Sequence, residues 1–334
     1  MTKKICITGI SGQVGAALTA ELLTRYPNCK IWGLKRRSSS HNTDRIDYLY
    51  NDPKTHSRLE LVYGDLSDYS SILNFVGDVK PDYLYNCGAM SHVKVSELIN
   101  ENCADVTGIG VIRVLEAIKK TSPKTHFLQL SSSEMFGNNI NNNGMQNEKT
   151  PLAPRSPYGC AKAFAYYSTI NFRESYNIFA ANAIAFNMES EKRGPTFATK
   201  KISMGAARIK LGLQNELYLG NLEAKRDFNY VSDSIDAFIK IIEADEPDDF
   251  VVATGHTCSI QHFVELVFSK LELDWKQYVK FDRRLLRKAE VNLLCGDSTK
   301  IREKLNWAPK YTIKDIVDKM VSYDLELAKK EKTL

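Results

Sequence analysis

The sequence predicts an α/β fold with a doubly wound parallel sheet. Through the first half of the chain, short apolar runs rich in β-strand formers alternate with amphipathic stretches, as in consecutive βαβ units. A glycine-rich turn follows the first apolar run directly, at Gly9–Gly15. Such turns bind dinucleotides in Rossmann-type folds. We therefore predict a Rossmann-type sheet followed by a smaller C-terminal α/β substrate-binding domain.

The order of elements follows from this alternation. Strands are predicted at Ile5–Thr8, Lys30–Leu34, Leu59–Tyr63, Tyr83–Asn86, His126–Leu130 and Phe179–Ala185. Helices are predicted at Gly12–Arg25, Gly108–Lys119 and Tyr158–Tyr176. The last helix follows Ser156 and Pro157, because serine caps a helix well and proline is tolerated in its first turn.

The domain division follows from where the alternation stops. Beyond about Asn187 it becomes irregular, so residues 1–186 are predicted to bind the dinucleotide, completed by a later segment near 227–255. Residues 187–334 are then mainly a substrate domain. The asparagine-rich stretch Asn138–Asn143 is expected to be a flexible loop.

Composition and charge exclude several classes of protein. Of 334 residues, 43% are hydrophobic and 25% charged, which is ordinary for a globular protein. The net charge of +5 is mild, and the basic residues of the chain are interspersed with acidic ones. This distribution does not indicate a nucleic-acid-binding protein. There is no apolar run of the roughly 18 residues that a membrane span needs. The seven cysteines form no C-x-x-C pair. We expect a cytoplasmic protein without a metal site.

The glycine turn has the spacing Gly9-x-x-Gly12-x-x-Gly15 between the first strand and the first helix. Glycines there let the backbone approach a pyrophosphate, whose charge is met by N–H groups at the helix N-terminus. Gln13 lies inside this turn, and we expect it to contact the cofactor with the three glycines.

The end of the second strand indicates which dinucleotide binds. NAD enzymes usually place a carboxylate there, on the ribose hydroxyls. This chain has Arg36 and Arg37 instead, and guanidinium groups pair well with a 2′-phosphate. The sequence therefore predicts NADP. The alternative is that both arginines are solvated loop charges.

A second group of polar residues carries the chemistry. The fifth strand runs into a serine cluster that ends at Glu134, and Tyr158 and Lys162 follow on a predicted helix. Side chains four apart on a helix share one face. Positive charge from Lys162 and from an oxidised nicotinamide is expected to lower the pKa of Tyr158, which then serves as a base for a hydroxyl proton.

Glycine turn, strand-end hydroxyl and Tyr-x-x-x-Lys together resemble the extended short-chain dehydrogenase/reductase group. Further runs are similar to its GDP-mannose 4,6-dehydratase family, over nearly the whole chain. These runs are Lys35–Asp47, Asn86–Val95, Pro154–Tyr158, Asn171–Tyr176, Leu219–Asn221 and Ala289–Val291.

The resemblance implies a reaction and a set of roles. Hydride leaves sugar C4, water is lost across C5 and C6, and the same hydride returns to C6. Glu134 stands at the family's position for the carboxylate that takes the C5 proton and helps the C6 hydroxyl leave. Ser132 stands where the family more often has threonine, and it keeps the hydroxyl that bonds the 4-oxygen.

The remaining site residues are also expectations. The residues expected to contact the cofactor, besides those of the glycine turn and the arginines, are Asp65, Leu66, Ala89, Ser91, Tyr158 and Lys162. The residues expected to hold a GDP-sugar are Ser91, Asn187, Lys201, Arg226, Arg287 and Glu290. The resemblance further implies a homodimer or homotetramer in which the Arg36–Ser40 loop reaches a neighbour's cofactor.

Departures from the family gather on the substrate side. Met188 replaces a histidine, Glu191 and Lys288 replace prolines, and Lys192 replaces an arginine. GDP-manno-heptose or another GDP-hexose therefore stays an alternative to GDP-mannose. A GDP-sugar epimerase or 4-reductase is a second alternative, against which the retained Glu134 argues. A redox-sensing or scaffolding protein is a third, although such proteins typically lose the tyrosine or the lysine.

Overall fold

The computed structural model describes residues 2–333. Its strands are β1 Lys3–Thr8, β2 Cys29–Lys35, β3 Leu59–Tyr63, β4 Tyr83–Asn86, β5 His126–Ser132, β6 Ala180–Ala185, β7 Asn187–Glu189, β8 Leu217–Leu219, β9 Lys225–Tyr230, β10 Asp249–Val252, β11 Thr257–Ser259 and β12 Val279–Phe281. Its α-helices are α1 Gln13–Arg25, α2 Asp47–Tyr50, α3 Tyr69–Val79, α4 Val93–Ser96, α5 Asn100–Cys103, α6 Gly110–Thr121, α7 Pro157–Tyr176, α8 Ala198–Lys210, α9 Val231–Ile242, α10 Ile260–Lys270, α11 Trp275–Tyr278, α12 Thr299–Leu305 and α13 Ile313–Thr333.

Seven strands form one sheet in the order β10-β6-β5-β4-β1-β2-β3, and every neighbouring pair is parallel. The predicted fold class is confirmed. All six predicted strands are present, and their end points differ from the prediction by two residues at most. The chain reverses its direction of winding between β1 and β4, which leaves a crevice at the carboxyl ends of these strands.

Helices cover both faces of this sheet. On one face α1 and α9 bury Leu18, Leu22 and Phe238 against the strands. On the other face α3, α6 and α7 bury residues such as Ile72 and Phe172. A parallel sheet covered on both faces is necessarily apolar through its strands, which explains the continuous apolar runs in the sequence.

The helix predicted at Gly108–Lys119 differs from the observed one. A π-helical stretch, Ala104–Ile109, precedes α6 and interrupts the regular helix. Thr107 in this stretch accepts a hydrogen bond from the backbone N–H of Met90 (3.0 Å), in the crevice. Such π-bulges commonly lie at functional sites, and no periodicity of the sequence reveals them.

The later part of the chain builds a second layer beside the crevice. It contains the three-stranded sheet β11-β9-β7, the pair β12-β8 and the helices α8, α10 and α13. Its core includes Ile202, Phe263 and Met320. Among residues 2–333, no helix combines the length and apolar character that crossing a membrane requires.

The asparagine-rich loop makes several hydrogen bonds. Asn138 accepts a hydrogen bond from the N–H of Asn292 (2.8 Å) and donates one to the carbonyl of Glu290 (3.3 Å). The N–H of Asn141 bonds the carbonyl of Met145 (2.8 Å). Asparagine side chains can replace backbone partners in this way, which composition alone does not show.

Candidate active site

A cavity of about 760 Å³ opens at the carboxyl ends of the parallel strands and extends to the second layer. Its walls bring together nearly all of the predicted site residues. These are Gly9, Gly12, Gln13, Gly15, Arg36, Asp65, Leu66, Ala89, Ser91, Ser132, Glu134, Tyr158, Lys162, Asn187, Lys201, Arg226, Arg287 and Glu290. Arg37 is the exception, because it is exposed and lies outside the cavity wall.

The glycine turn leaves no room for side chains. Gly9 has φ +64°, and a Cβ there would lie 2.7 Å from the Cα of Gly88. A Cβ on Gly15 would lie 2.4 Å from the carbonyl oxygen of Gly9. Gly12 precedes α1 without a side-chain cap, so the first-turn N–H groups and the helix dipole remain available to an anion. This cradle fits the pyrophosphate of a dinucleotide.

Beside this turn lie the residues that end β2 and follow it. Lys35, Arg36, Asn42 and Arg45 line the cavity. The Arg45 side chain also donates from Nε to the carbonyl of Lys192 (2.8 Å). The wall at this end is therefore basic, as a phosphate on the ribose requires. Of the two arginines that sequence reasoning weighed together, only Arg36 belongs to this wall.

Local structure positions the side chains that are predicted to react. Ser132 ends β5, and Glu134 follows in a short 3-10 helix. Helix α7 begins where Ser156 accepts from the N–H of Gly159 (3.0 Å), which sets Tyr158 and Lys162 on the first two turns. The side chains of these four residues are all buried.

Burial governs the ionisation of Tyr158 and Lys162. It raises the pKa of Tyr158 to about 12, against a lowering by the hydrogen bond with Ser132. It lowers the pKa of Lys162 to about 8. Desolvation thus outweighs the hydrogen bond with Ser132 at Tyr158, and Lys162 donates to the carbonyl of Leu130. The lowering expected beside an oxidised nicotinamide stays a prediction. The Lys162 Nζ lies 5.9 Å from the centroid of the Tyr158 ring.

Two arginines and two glutamates contact one another in the cavity lining. Arg287 Nη1 lies 3.1 and 3.3 Å from the two carboxylate oxygens of Glu134. Arg287 Nε lies 3.8 Å from Glu290, and Arg226 Nη2 lies 3.3 Å from the same carboxylate. Burial lowers the pKa of Arg287, but Glu134 and Glu290 outweigh it and the net shift is upward. Burial and then Arg287 lower the pKa of Arg226.

The contact between Arg287 and Glu134 was missed from the sequence. Arg287 was expected at the nucleotide end, and the two residues lie 153 positions apart. No local pattern links positions so distant, so only the fold reveals this ion pair. Arg193 was also missed. It lines the cavity, lies 3.4 Å from Glu189 through Nε, and stacks over Phe197.

The family departures fall in two places. Met188 lines the cavity. Glu191 and Lys192 point elsewhere: Glu191 accepts from the Tyr230 hydroxyl (3.0 and 2.9 Å), and Lys192 bonds the Tyr323 hydroxyl (2.9 Å). Lys288 is exposed outside the cavity wall. Only the change at Met188 thus alters the lining directly.

Comparisons with known proteins agree with this geometry. The family model described as GDP-mannose 4,6 dehydratase matches residues 6–320. GDP-mannose 4,6 dehydratase 2 of Arabidopsis thaliana is 43% identical, over 98% of this chain and 88% of its own. The human GDP-mannose 4,6 dehydratase is 42% identical, over 96% of this chain and 91% of its own.

A solved structure supports the fold. The dTDP-glucose 4,6-dehydratase DesIV of Streptomyces venezuelae, with NAD and TYD bound, superposes with a TM-score of 0.85 over 97% of both chains at 19% identity. The match to the family model over residues 6–320, with relatives more than 40% identical over nearly the whole chain, places this chain in the GDP-mannose 4,6-dehydratase family.

Proposed function

We propose that this protein is an NADP-dependent 4,6-dehydratase that converts GDP-mannose to a GDP-4-keto-6-deoxy sugar. The observation that carries the proposal is the convergence of Glu134 with Tyr158 and Lys162 in one cavity beside the glycine turn. A hydride transfer alone needs the tyrosine and the lysine. Elimination of water needs a further acid/base, and Glu134 is that group.

The residues at one end of the cavity suit NADP. When bound, the nicotinamide supplies the hydride acceptor at C4 and the hydride donor at C6. The glycine turn and the N-terminus of α1 would hold its pyrophosphate, and Arg36 its 2′-phosphate. Asp65, Leu66, Ala89 and Ser91 would contact the rest of the molecule.

Tyr158 would remove the proton from the sugar 4-hydroxyl, with Ser132 bonding the same oxygen. Its buried phenol, with a pKa of about 12, gives up a proton only when positive charge lies beside it. Lys162 supplies this charge when protonated, four residues along the same helix. The pair therefore works as one unit in the first step.

Glu134 would take the proton from C5 and return a proton to the departing C6 hydroxyl. The Arg287 guanidinium pairs with this carboxylate at 3.1 Å. Arg226, Lys201 and Asn187 would hold the diphosphate side of the substrate. Ser91 and Glu290 offer further hydrogen-bonding groups for the nucleotide sugar.

One experiment separates the alternatives for the substrate and for the reaction. Met188 on the cavity wall favours testing GDP-manno-heptose beside GDP-mannose. Incubation of each with NADP, followed by mass spectrometry, should give a product lighter than the substrate by one water. An epimerase would give a product of unchanged mass, and a 4-reductase supplied with NADPH and a keto sugar would give one heavier by two hydrogens. Either outcome, without loss of water, would contradict the proposal.

We also propose that the cofactor is held by residues 1–186 and 227–255, and the sugar nucleotide mainly by residues 187–334. We further propose that the protein forms a homo-oligomer, either a dimer or a tetramer. Large apolar side chains are exposed on α7, at Phe164 and Tyr167, and in the segment before α6, at Leu98 and Ile109. Such side chains are often covered by another subunit. All seven cysteines are free, which suits work in the cytoplasm.

A further inference from the structure

Two residues from the segment after β4 hold the backbone on either side of Arg287. Lys94 Nζ donates to the carbonyl of Leu286 (2.8 Å). The Glu97 carboxylate accepts from the N–H of Lys288 (3.3 Å). The two side chains also pair with each other, 3.1 Å apart. Arg287 is therefore bracketed by two hydrogen bonds to its immediate neighbours.

We propose that Lys94 and Glu97 are positioning residues that keep Arg287 against Glu134 during the dehydration, an inference that rests on the proposed function. Glu97 is the sharper member of this pair to test, because it lies outside the cavity wall whereas Lys94 lines it. Its side chain is nevertheless only 10% exposed, so its carboxylate has few solvent partners.

The segment that carries Arg287 needs such support. Residues 286–290 form neither helix nor strand, and they follow a single 3-10 turn, Arg283–Leu285. Backbone outside regular structure depends on side chains for its hydrogen bonds. Here the partners are a carboxylate and an ammonium, whose charged bonds are stronger than neutral ones.

A displacement of Arg287 would affect the proposed reaction through its ion pair with Glu134. Arg287 lies 3.1 Å from Glu134, and the charge it provides weakens as the guanidinium moves away. A misplacement of about 1 Å in a catalytic site can cost on the order of 100-fold in rate. Loss of the bracket should therefore slow the elimination and leave the fold intact.

The test compares three variants in the full-length protein. Glu97→Ala removes the acceptor, whereas Glu97→Gln keeps an oxygen that can accept from Lys288 but loses the charge. Glu116→Ala is the matched control, because Glu116 also pairs with a lysine three residues away on a helix, Lys119, but lies outside the cavity wall. Glu97→Leu, which keeps volume without an acceptor, repeats the test if the alanine variant does not fold.

Two readouts are measured, namely amide hydrogen exchange in residues 286–290 and steady-state dehydration of GDP-mannose with NADP. Glu97→Ala should exchange faster in this segment and lose about 10- to 100-fold in kcat. Glu97→Gln should recover most of both losses, and Glu116→Ala should match the wild type.

Unchanged exchange at 286–290 in Glu97→Ala, or a kcat no lower than that of Glu116→Ala, would overturn the inference. The exchange readout needs no turnover, so it judges the bracket even if the wild type dehydrates no GDP-sugar. Failure of the wild type with every GDP-sugar would instead contradict the proposed function.

Discussion

Tyr158 and Glu134 divide the proposed chemistry between a hydroxyl proton and a carbon-bound proton. Tyr158→Phe keeps the ring in its pocket and removes the phenolic oxygen that would take the 4-hydroxyl proton, so turnover should stop. Tyr176→Phe, on the same helix but exposed outside the cavity wall, is the control and should keep wild-type kcat. Residual kcat in Tyr158→Phe above about one hundredth of the wild type would contradict the assigned role.

Glu134→Gln keeps the size of the side chain but cannot accept a proton from carbon. For this reason it should specifically block exchange of the sugar C5 hydrogen with solvent. The measurement is deuterium incorporation at C5 during incubation in D2O. Unimpaired incorporation would remove Glu134 from the mechanism.

The burial of Lys162 lowers the stability of the folded protein by an amount that depends on pH. Its pKa is about 8 in the folded protein against an ordinary value of 10.5, because burial disfavours the ammonium. Between these two values the unfolded chain binds more protons than the folded one, so this residue's contribution to stability rises with pH. The cost is fully present below about pH 8 and disappears towards pH 10.5.

Comparison of wild type with Lys162→Met isolates this effect. Without added cofactor, the free energy of unfolding of the wild type should gain roughly 3 kcal/mol on that of the variant between pH 8 and 10.5. The check is denaturant unfolding of both proteins at several pH values. A difference that stays constant across this range would show that Lys162 is not desolvated as described.

At the scale of elements, the loop after β2 separates two neighbouring arginines. Arg36 lines the cavity, whereas Arg37 is exposed outside it. Arg36→Asp should therefore lower the preference for NADP over NAD by about 10- to 100-fold, since a charged hydrogen bond contributes about 1.5–3 kcal/mol. Arg37→Asp is its control and should change the preference little.

The ratio of kcat/KM or of Kd for the two cofactors measures this preference. Equal effects of both substitutions would show that the loop acts through its net charge. No effect of either would mean that the 2′-phosphate is bound elsewhere, for example by Arg45.

Elements with a local signature could be predicted from the sequence. Strand β1 and the glycine turn follow from apolar runs and from Gly9–Gly15, and the start of α7 follows from Ser156 and Pro157. The π-helical stretch before α6 could not be predicted, because it depends on contacts with the crevice. The desolvation that raises the pKa of Tyr158 could not be predicted either, because it depends on the whole surrounding fold.

Contacts between segments that are distant in the sequence could not be predicted either. The set of cavity residues was largely foreseen, through the glycine turn and the Tyr-x-x-x-Lys spacing, and through family resemblance for the substrate side. Their pairing was not, because Glu134 meets Arg287 only when the segment after β12 folds back over the sheet. Sequence spacing carries no information about such a meeting.

At the scale of the whole molecule, a buried ion pair ties the C-terminal helix α13 to α8. Lys200 and Asp324 contact each other with both side chains almost fully buried, and Asp324 also accepts from Ser203 (2.6 Å). Asp324→Asn leaves the buried ammonium without its anion. Removal of one partner from such a pair costs about 3–5 kcal/mol.

Denaturant unfolding should show this loss for Asp324→Asn. The control is Glu326→Gln on the same helix, where the exposed pair with Lys329 should change stability by less than about 1 kcal/mol. Equal stability of the two variants would show that α13 is not anchored through Lys200.

The most direct measurement follows one hydrogen through the reaction. GDP-mannose carrying deuterium at C4 is incubated with the protein and NADP in ordinary water, and the product is analysed by NMR. If one cavity oxidises C4, eliminates water and reduces C6, the deuterium will be found at C6 of a 4-keto-6-deoxy product, within the same sugar. Deuterium retained at C4, or collected in free NADPH, would contradict this cycle.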